Sequence, residues 1–392
     1  MWILWVQESI KAKCEMNILH IITGLNDGGA EAVLYRLIKA CKEHHHSVVS
    51  LMDTGKYGTR LEKIGVPVVC LNMPRGRVTI TGLRTLWRVL TQKEHDIVQT
   101  WMYHADFLGG VLARLAGVHR IFWGIHNSAL EPDNSKYKTI GIARVNGWLS
   151  RWIPTAIVCC AERARETHRA LGYASEKLIV IPNGYDLSSF KPDNAARMRL
   201  RTEWGVTDGM SLLGMVGRFH PVKDYENILR AIFQLKQAKK AFRLVLVGKR
   251  LDATNPKLVS WIKQYSLCED ILLLGQRDDV PDVMNALDIH VLSSTSEAFP
   301  NVLAEAMACG TPCVTTGVGD ASLIVGDTGW VVPPRNSQAL AGAIRDALEQ
   351  FKNVKAWQAR KAAARKRIGC YFSTETMVEA YKQLWNRDLS AQ

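Results

Sequence analysis

The chain reads as an α/β protein: two doubly wound, parallel-sheet units facing each other across a cleft. Short apolar runs alternate with amphipathic segments from residue 17 onward, the rhythm of strands covered by helices on both faces. A polar interval over 183–209 breaks the rhythm, which then restarts. The length, 392 residues, exceeds one ordinary core and suits two domains of common size.

The elements follow in order. Residues 17–23 form the first strand, and 31–41 a helix with Val33, Leu34, Leu37, Ile38 and Cys41 on one face. Strands are expected at 47–52, 67–71, 96–101, 120–125, 156–160 and 178–181, with helices such as 79–93 and 105–116 between them. Pro192, Asp193, Asn194 and Gly205 mark a linker carrying one short helix. The second unit alternates strands at 212–216, 242–247, 271–274, 289–292 and 312–315 with helices at 224–239, 256–265, 280–287 and 301–308. A last helix, 373–386, has Met377, Tyr381 and Leu384 in phase. These patterns divide the chain into a first domain (16–190), a linker (191–210) and a second domain (211–373), with the helix 374–387 packing back on the first. Met16 opens a better strand than the patch Met1–Val6, so residues 1–15 read as an extension outside the core.

Composition narrows the function. The net charge of +13 implies attraction to anions. The basic residues are dispersed apart from 360–367, and no zinc finger, RNP-type motif or basic zipper is present, which disfavours nucleic acid. No apolar run approaches the ~20 residues that cross a bilayer. Nine cysteines lack Cys-x-x-Cys spacing and read as small buried side chains in a reducing compartment.

Four segments that follow strands carry chemistry. Glu297 and Glu305 stand eight positions apart astride a helix start, with Pro300 suited to the first helical position. Such a helix aims N–H groups and a positive dipole end at the crevice, which suits a phosphate, while the two carboxylates accept from hydroxyls. Gly28 and Gly29 precede a helix and let backbone approach an anion; the loop is neither Gly-x-Gly-x-x-Gly nor a Walker loop, so it supports neither nicotinamide nor ATP. Arg218 and Lys223, five apart after a strand, can clamp a diphosphate from two sides. His126 ends an apolar strand, where it can bond a sugar or serve as a structural histidine.

Taken together these residues resemble the retaining nucleotide-sugar glycosyltransferases of family 4, with the two-domain GT-B fold. The resemblance runs from Met16 onward. It rests on Glu297 and Glu305, on Gly217, Arg218, Lys223 and Asp224, on the stretch from Ile181 to Asp186 with Phe190 and Pro192, and on Gly28-Gly29. It implies that Arg218 and Lys223 hold the donor diphosphate, that Glu305 binds the ribose and Glu297 the donor sugar, and that His126 sits over that sugar. Gly275, Arg277 and Val280 would frame the base, and Phe299, Pro300, Asn301 and Val302 would line the donor site. No metal or other cofactor is expected, since the cations and helix dipole replace it. Asp278-Asp279 reads as a helix cap. Tyr185 departs from the family's commoner Val.

The acceptor side is expected on the first domain. Arg75, Arg77, Arg84 and Arg88 cluster around a helix whose other face shows Leu83, Leu86, Trp87 and Leu90. A second segment, 136–153, mixes Lys138, Arg144 and Arg151 with Trp148 and Trp152. Such helices can lie on anionic membrane. The segments 101–104 and 123–127 look like those of transferases that extend a lipid-diphosphate-linked saccharide in bacterial surface polysaccharide synthesis (O-antigen or capsule type), working in the cytoplasm at the inner face of the plasma membrane. The donor is expected to carry a hexose or N-acetylhexosamine on UDP. A nucleotide-sugar 2-epimerase of the same fold, or a non-enzymatic basic nucleotide- or nucleic-acid-binding protein, are the alternatives. A glycoside hydrolase fits the acid pair less well, because its surroundings are cationic.

Overall fold

Two separate parallel sheets organise the chain, of seven and six strands. The computed structural model describes residues 15–26, 28–126, 137–207, 209–238 and 241–387. Expectations for residues 1–14, Asp27 and 127–136, including Asn127, Ser128 and Lys136, lie outside the described residues.

The first lobe runs β1 (Asn17–Ile22), α1 (Gly29–Ala40), β2 (His45–Ser50), α2 (Gly55–Lys63), β3 (Val68–Cys70), α3 (Ile80–Gln92), β4 (Ile97–Trp101), α4 (Tyr103–Leu115), β5 (Ile121–Ile125), α5 (Tyr137–Leu149), β6 (Ala156–Cys159), α6 (Glu162–Ala170) and β7 (Leu178–Val180). The linker helix is α7 (Asn194–Glu203). The second lobe runs β8 (Ser211–Val216), α8 (Tyr225–Gln237), β9 (Phe242–Val247), α9 (Pro256–Gln264), β10 (Ile271–Gly275), α10 (Val280–Ala286), β11 (Ile289–Leu292), α11 (Asn301–Ala308), β12 (Cys313–Thr316), α12 (Ala321–Val325), β13 (Trp330–Val332), α13 (Ser337–Phe351) and α14 (Val354–Tyr371), before the last helix α15 (Thr374–Asn386).

Strand order is 3-2-1-4-5-6-7 in the first sheet and 10-9-8-11-12-13 in the second. The order reverses beside β1 and β4 in one and beside β8 and β11 in the other. Ligands of open α/β sheets sit at such reversals, beyond the strands' carboxyl ends. The loops after β1, β8 and β11 are those that carry Gly28-Gly29, Arg218 with Lys223, and Glu297.

Polar side chains place the helix starts. Thr79 Oγ1 accepts from Gly82 N (3.2 Å) and Asp193 Oδ1 from Ala196 N (2.9 Å), filling donors that a helix terminus leaves open. The chain crosses between lobes twice. The crossings pair where Tyr185 N donates to Phe372 O (2.9 Å) and Thr374 N to Tyr185 O (3.0 Å). After the second crossing α15 buries Met377, Tyr381, Leu384 and Trp385 among Met16, Ile18, Val33, Leu37 and Trp101 of the first lobe.

Several elements escaped the apolar periodicity. In α6 only Ala164 and His168 are buried, so its sequence shows no stripe. β13 has three half-exposed residues, and α14 buries only Trp357, Ala364 and Ile368 of eighteen. The uniform reading of the cysteines needs correction: Cys268, in the turn after α9, and Cys370, on the solvent side of α14, are exposed, while Cys41, Cys159, Cys160, Cys309 and Cys313 are buried.

Candidate active site

The loops after β8 and β11 are braced into one unit. Thr295 N donates to Val222 O (2.7 Å), and Ser293 Oγ to the carbonyls of Lys223 (2.9 Å) and Asp224 (3.0 Å). Asp224 adopts a left-handed conformation (φ 47°) and starts α8 by accepting from Asn227 N. A Cβ at Gly248 would lie 2.1 Å from Gly217 O, so only glycine lets the loop after β9 pass so near. On this frame Lys223 Nζ meets Glu297 Oε1 at 2.5 Å, with Ser294 Oγ donating to the same oxygen (2.7 Å). Both side chains of the ion pair are about 15% exposed. The Arg218 side chain is exposed and has no hydrogen-bond partner among the described residues.

Pro300 is not the first helical residue; it is the cap residue, and α11 begins at Asn301. Its ψ of 89° is too extended for a helix interior. Asn301 joins the lobes. Its Oδ1 accepts from Asn183 Nδ2 (3.1 Å) and from the Tyr185 hydroxyl, so the departure at Tyr185 adds a bond that Val could not make. A Cβ on Gly29 would stand 3.4 Å from Asn301 Nδ2. The first residues of α1 and α11 therefore face each other, and two helix N-termini, one from each lobe, meet in the cleft. Glu305 lies one turn along α11; burial raises its carboxyl above the usual range, opposed by the charges of Arg36 and Lys223.

Arg36 was not singled out from the sequence. Its guanidinium lies 5.1 Å from the Tyr185 ring centroid, and Nε and Nη2 are buried with no hydrogen-bond partner among the described residues. The signal was present: Arg36 is seven residues after Gly29, so it shares the face on which α1 meets the cleft. His126 stacks on Trp101 (5.1 Å, 22°). Both of its ring nitrogens are buried without partners among the described residues. Burial and the Arg36 charge push it down to about 4, so it is neutral at pH 7.

Other expected donor residues are placed differently. Phe299 is buried and stacks on Tyr185 (6.3 Å, 15°) and edge-on to Phe372 (5.6 Å); its ring is hinge core, not a ligand surface. Val302 packs against the same core, as does Val280 at the start of α10. Gly275 adopts φ 63°, and a Cβ there would be in ordinary contact with Asp252 Cβ (3.9 Å). Arg277 binds Asp279 through Nε (2.8 Å) and Nη2 (2.6 Å) and covers Trp204 (5.7 Å). Asp279 therefore makes no side-chain cap bond to α10. Among the described residues no cluster of three or more His, Cys, Asp or Glu could hold a metal ion.

On the first lobe Trp87 lies 42% exposed, not on the apolar face with the buried Leu86 and Leu90. It joins Arg84 and Arg88 in an open groove bounded by Leu83, Thr91 and Leu112. Arg75 and Arg77 are exposed in the turn before α3. Trp148 and Trp152, exposed beyond half, meet edge-on at 4.8 Å. No described helix is long and apolar enough to cross a membrane.

The site and fold define a class. The model described as Glycosyltransferase Family 4 matches residues 27–189, and that described as Glycosyl transferases group 1 matches 211–350. The chain belongs to the family 4 glycosyltransferases and is a transferase of GT-B architecture. EpsF of Bacillus subtilis (strain 168), named as a glycosyltransferase, is 28% identical over 312 residues, 76% of this chain and 79% of its own length. The UDP-Gal:alpha-D-GlcNAc-diphosphoundecaprenol alpha-1,3-galactosyltransferase of Escherichia coli is 28% identical over 268 residues, 66% of this chain and 67% of its own. Anabaena Alr3699/HepE, solved with UDP, superposes with a TM-score of 0.82 at 24% identity, covering 94% of this chain and 99% of that one.

Proposed function

We propose that the chain is a retaining transferase that moves a hexose or N-acetylhexosamine from a UDP-sugar to a lipid-diphosphate-linked saccharide in bacterial surface polysaccharide synthesis. The observation that carries this is the meeting of the two helix N-termini at Gly29 and Asn301, beside the Lys223–Glu297 pair. Oriented N–H groups and cations converge there, a setting for a diphosphate. Arg218 and Lys223 would neutralise charge as the nucleotide leaves, commonly the largest catalytic contribution. Glu297, paired with Lys223, would accept from donor-sugar hydroxyls, Glu305 from the ribose, and neutral His126 would bond the sugar. Retention of configuration rests on the family resemblance. UDP is supported by the HepE complexes with UDP and UDP-glucose, and a lipid-diphosphate acceptor by the name of the E. coli relative.

A panel of nucleotide sugars screened for thermal stabilisation tests the donor. A ligand at 100 times its Kd stabilises by about 2.7 kcal/mol, so a UDP-sugar should raise the melting temperature, and a panel without any shift would refute the reading. Arg36→Gln is expected to lower UDP-sugar affinity about tenfold or more without loss of melting temperature, because it removes a charge whose Nε and Nη2 bond no partner among the described residues. Equal affinity in both proteins, measured by calorimetry, would exclude Arg36 from the donor site.

The groove of Arg84, Trp87 and Arg88, with Trp148 on α5 and Trp152 in the turn after it, would rest on anionic lipid at the inner membrane face. Wild type should co-sediment with phosphatidylglycerol vesicles at low salt, and Arg84→Glu/Arg88→Glu should not. Absence of wild-type binding would rule out the membrane contact.

A further inference from the structure

Asp320 occupies the cap position of α12 but makes no side-chain bond to that helix. Its carboxylate reaches the other lobe instead. Oδ2 accepts from Glu162 N (2.7 Å) and Oδ1 from Arg163 N (3.0 Å), the first two residues of α6. The residue that should cap α6, Ala161, has no side-chain acceptor. Asp320 supplies the missing cap from across the cleft, where a carboxylate also meets the positive end of the helix. It is 4% exposed.

The same residue holds the loop of Glu297. Asp320 N donates to Ala298 O (2.9 Å). Gly319 before it has φ 52°, and a Cβ there would lie 2.4 Å from the carbonyl oxygens of both Glu297 and Ala298. The turn is seated on the Glu297 backbone with no room for a side chain, and a side chain would also be strained at that φ. Glu297 in turn meets Lys223. A continuous path of bonded groups therefore joins the start of α6 in the first lobe to the ion pair in the second.

We propose that Asp320 is a positioning residue: a clasp that forms when the lobes close and fixes the Glu297 loop, so that the Lys223–Glu297 pair is set for transfer only in the closed state. Asp320 has no place in the donor site described above, so its loss lowers the rate more than the grip on the nucleotide. This rests on the donor-site reading for its kinetic arm, but the clasp itself is readable without any substrate.

Two variants approach the clasp from opposite sides. Asp320→Ala removes the carboxylate. Glu162→Pro removes one of the two N–H donors at the first position of α6, where proline is well accommodated, and leaves the 319–320 turn untouched. Hydrogen exchange at the Arg163 amide should be slowed by UDP in wild type and be fast in both variants. Turnover of the UDP-sugar should fall at least tenfold in Asp320→Ala and severalfold in Glu162→Pro, with UDP affinity falling less than turnover and by no more than the factor by which UDP slows that exchange in wild type. The double variant should be no slower than Asp320→Ala alone, since both break one contact. Should Asp320→Ala fail to fold, Glu162→Pro alone carries the test. Unchanged exchange at Arg163, unchanged turnover, additive losses, or affinity falling as much as turnover would each overturn the proposal. Wild type that neither binds nor turns over UDP-sugars, with exchange still responding to Asp320→Ala, would refute the donor reading and leave the clasp.

Discussion

Lys223→Ala is expected to slow sugar transfer by about 10²–10³-fold, the range seen when one preorganised stabilising group is removed from a reacting centre. Two losses combine. The leaving diphosphate forfeits an ammonium held on the braced loop after β8, where Thr295 and Ser293 fix the backbone around it. Glu297 also loses its cation and keeps the Ser294 hydroxyl, so a largely buried carboxylate is left undercompensated. Lys223→Arg should recover little, because a planar guanidinium cannot occupy the place of a compact ammonium. Arg218→Ala, at an exposed cation, should cost less. Initial rates of UDP release at saturating donor check both; a Lys223→Ala enzyme within threefold of wild type would remove Lys223 from the chemistry.

Mild acid is the second large effect. Trp101 Nε1 donates to His20 Nδ1 (3.2 Å), which leaves His20 Nε2–H to donate to His46 Nδ1 (3.0 Å) and His46 Nε2–H to Cys41 O (2.9 Å). Every ring nitrogen in this chain is used, and each ring is neutral, so an added proton breaks a bond. Burial and then its neighbour His46 hold His20 well below the usual histidine range, and burial brings His46 to about 4. His168, between Ala164 O (2.7 Å) and the Tyr103 hydroxyl (2.9 Å), is likewise at about 4, by burial. Unfolded, each titrates near 6.5. Between pH 6.5 and 4 the unfolded chain therefore binds more protons, and stability falls as pH falls. At pH 4 the loss is on the order of 3 kcal/mol per histidine, which for several together rivals the ~5–15 kcal/mol of a typical domain. Since His20, His46, His126 and His168 all lie in the first lobe, that lobe should melt first. Calorimetric scans from pH 7.5 to 5 should show its transition dropping by 10 °C or more, by the usual ~2–4 °C per kcal/mol. A transition that stays level to pH 5 would contradict the neutral histidine chain.

Much of the fold was legible because both sheets are parallel and buried on both faces, so their strands are nearly continuous apolar runs. Strands at 242–247 and 289–292 and the helix 301–308 coincide with the structure. Of what escaped, α6, with two buried residues in nine, and β13, too short to show a period, lacked that signature, whereas α13 carries a buried stripe of Leu340, Ile344, Ala347 and Leu348 and still went unassigned. At the site, spacing and position after a strand marked Lys223, Glu297 and Glu305. Spacing along the chain could not show that Phe299 turns into the hinge or that Asp320 reaches across the lobes. Those placements depend on how two separately folded sheets come to face each other, through the crossings at Tyr185 and Phe372.

Calorimetric titration of UDP into wild type and Glu305→Ala tests the two-lobe donor site most directly. The removed carboxylate lies one turn into the helix whose start meets Gly29, and a hydrogen bond to a charged group contributes about 1.5–3 kcal/mol. Wild type should bind with Glu305→Ala weaker by about 10- to 100-fold at an unchanged melting temperature. Equal affinity in the two proteins, or no binding by wild type, would contradict it.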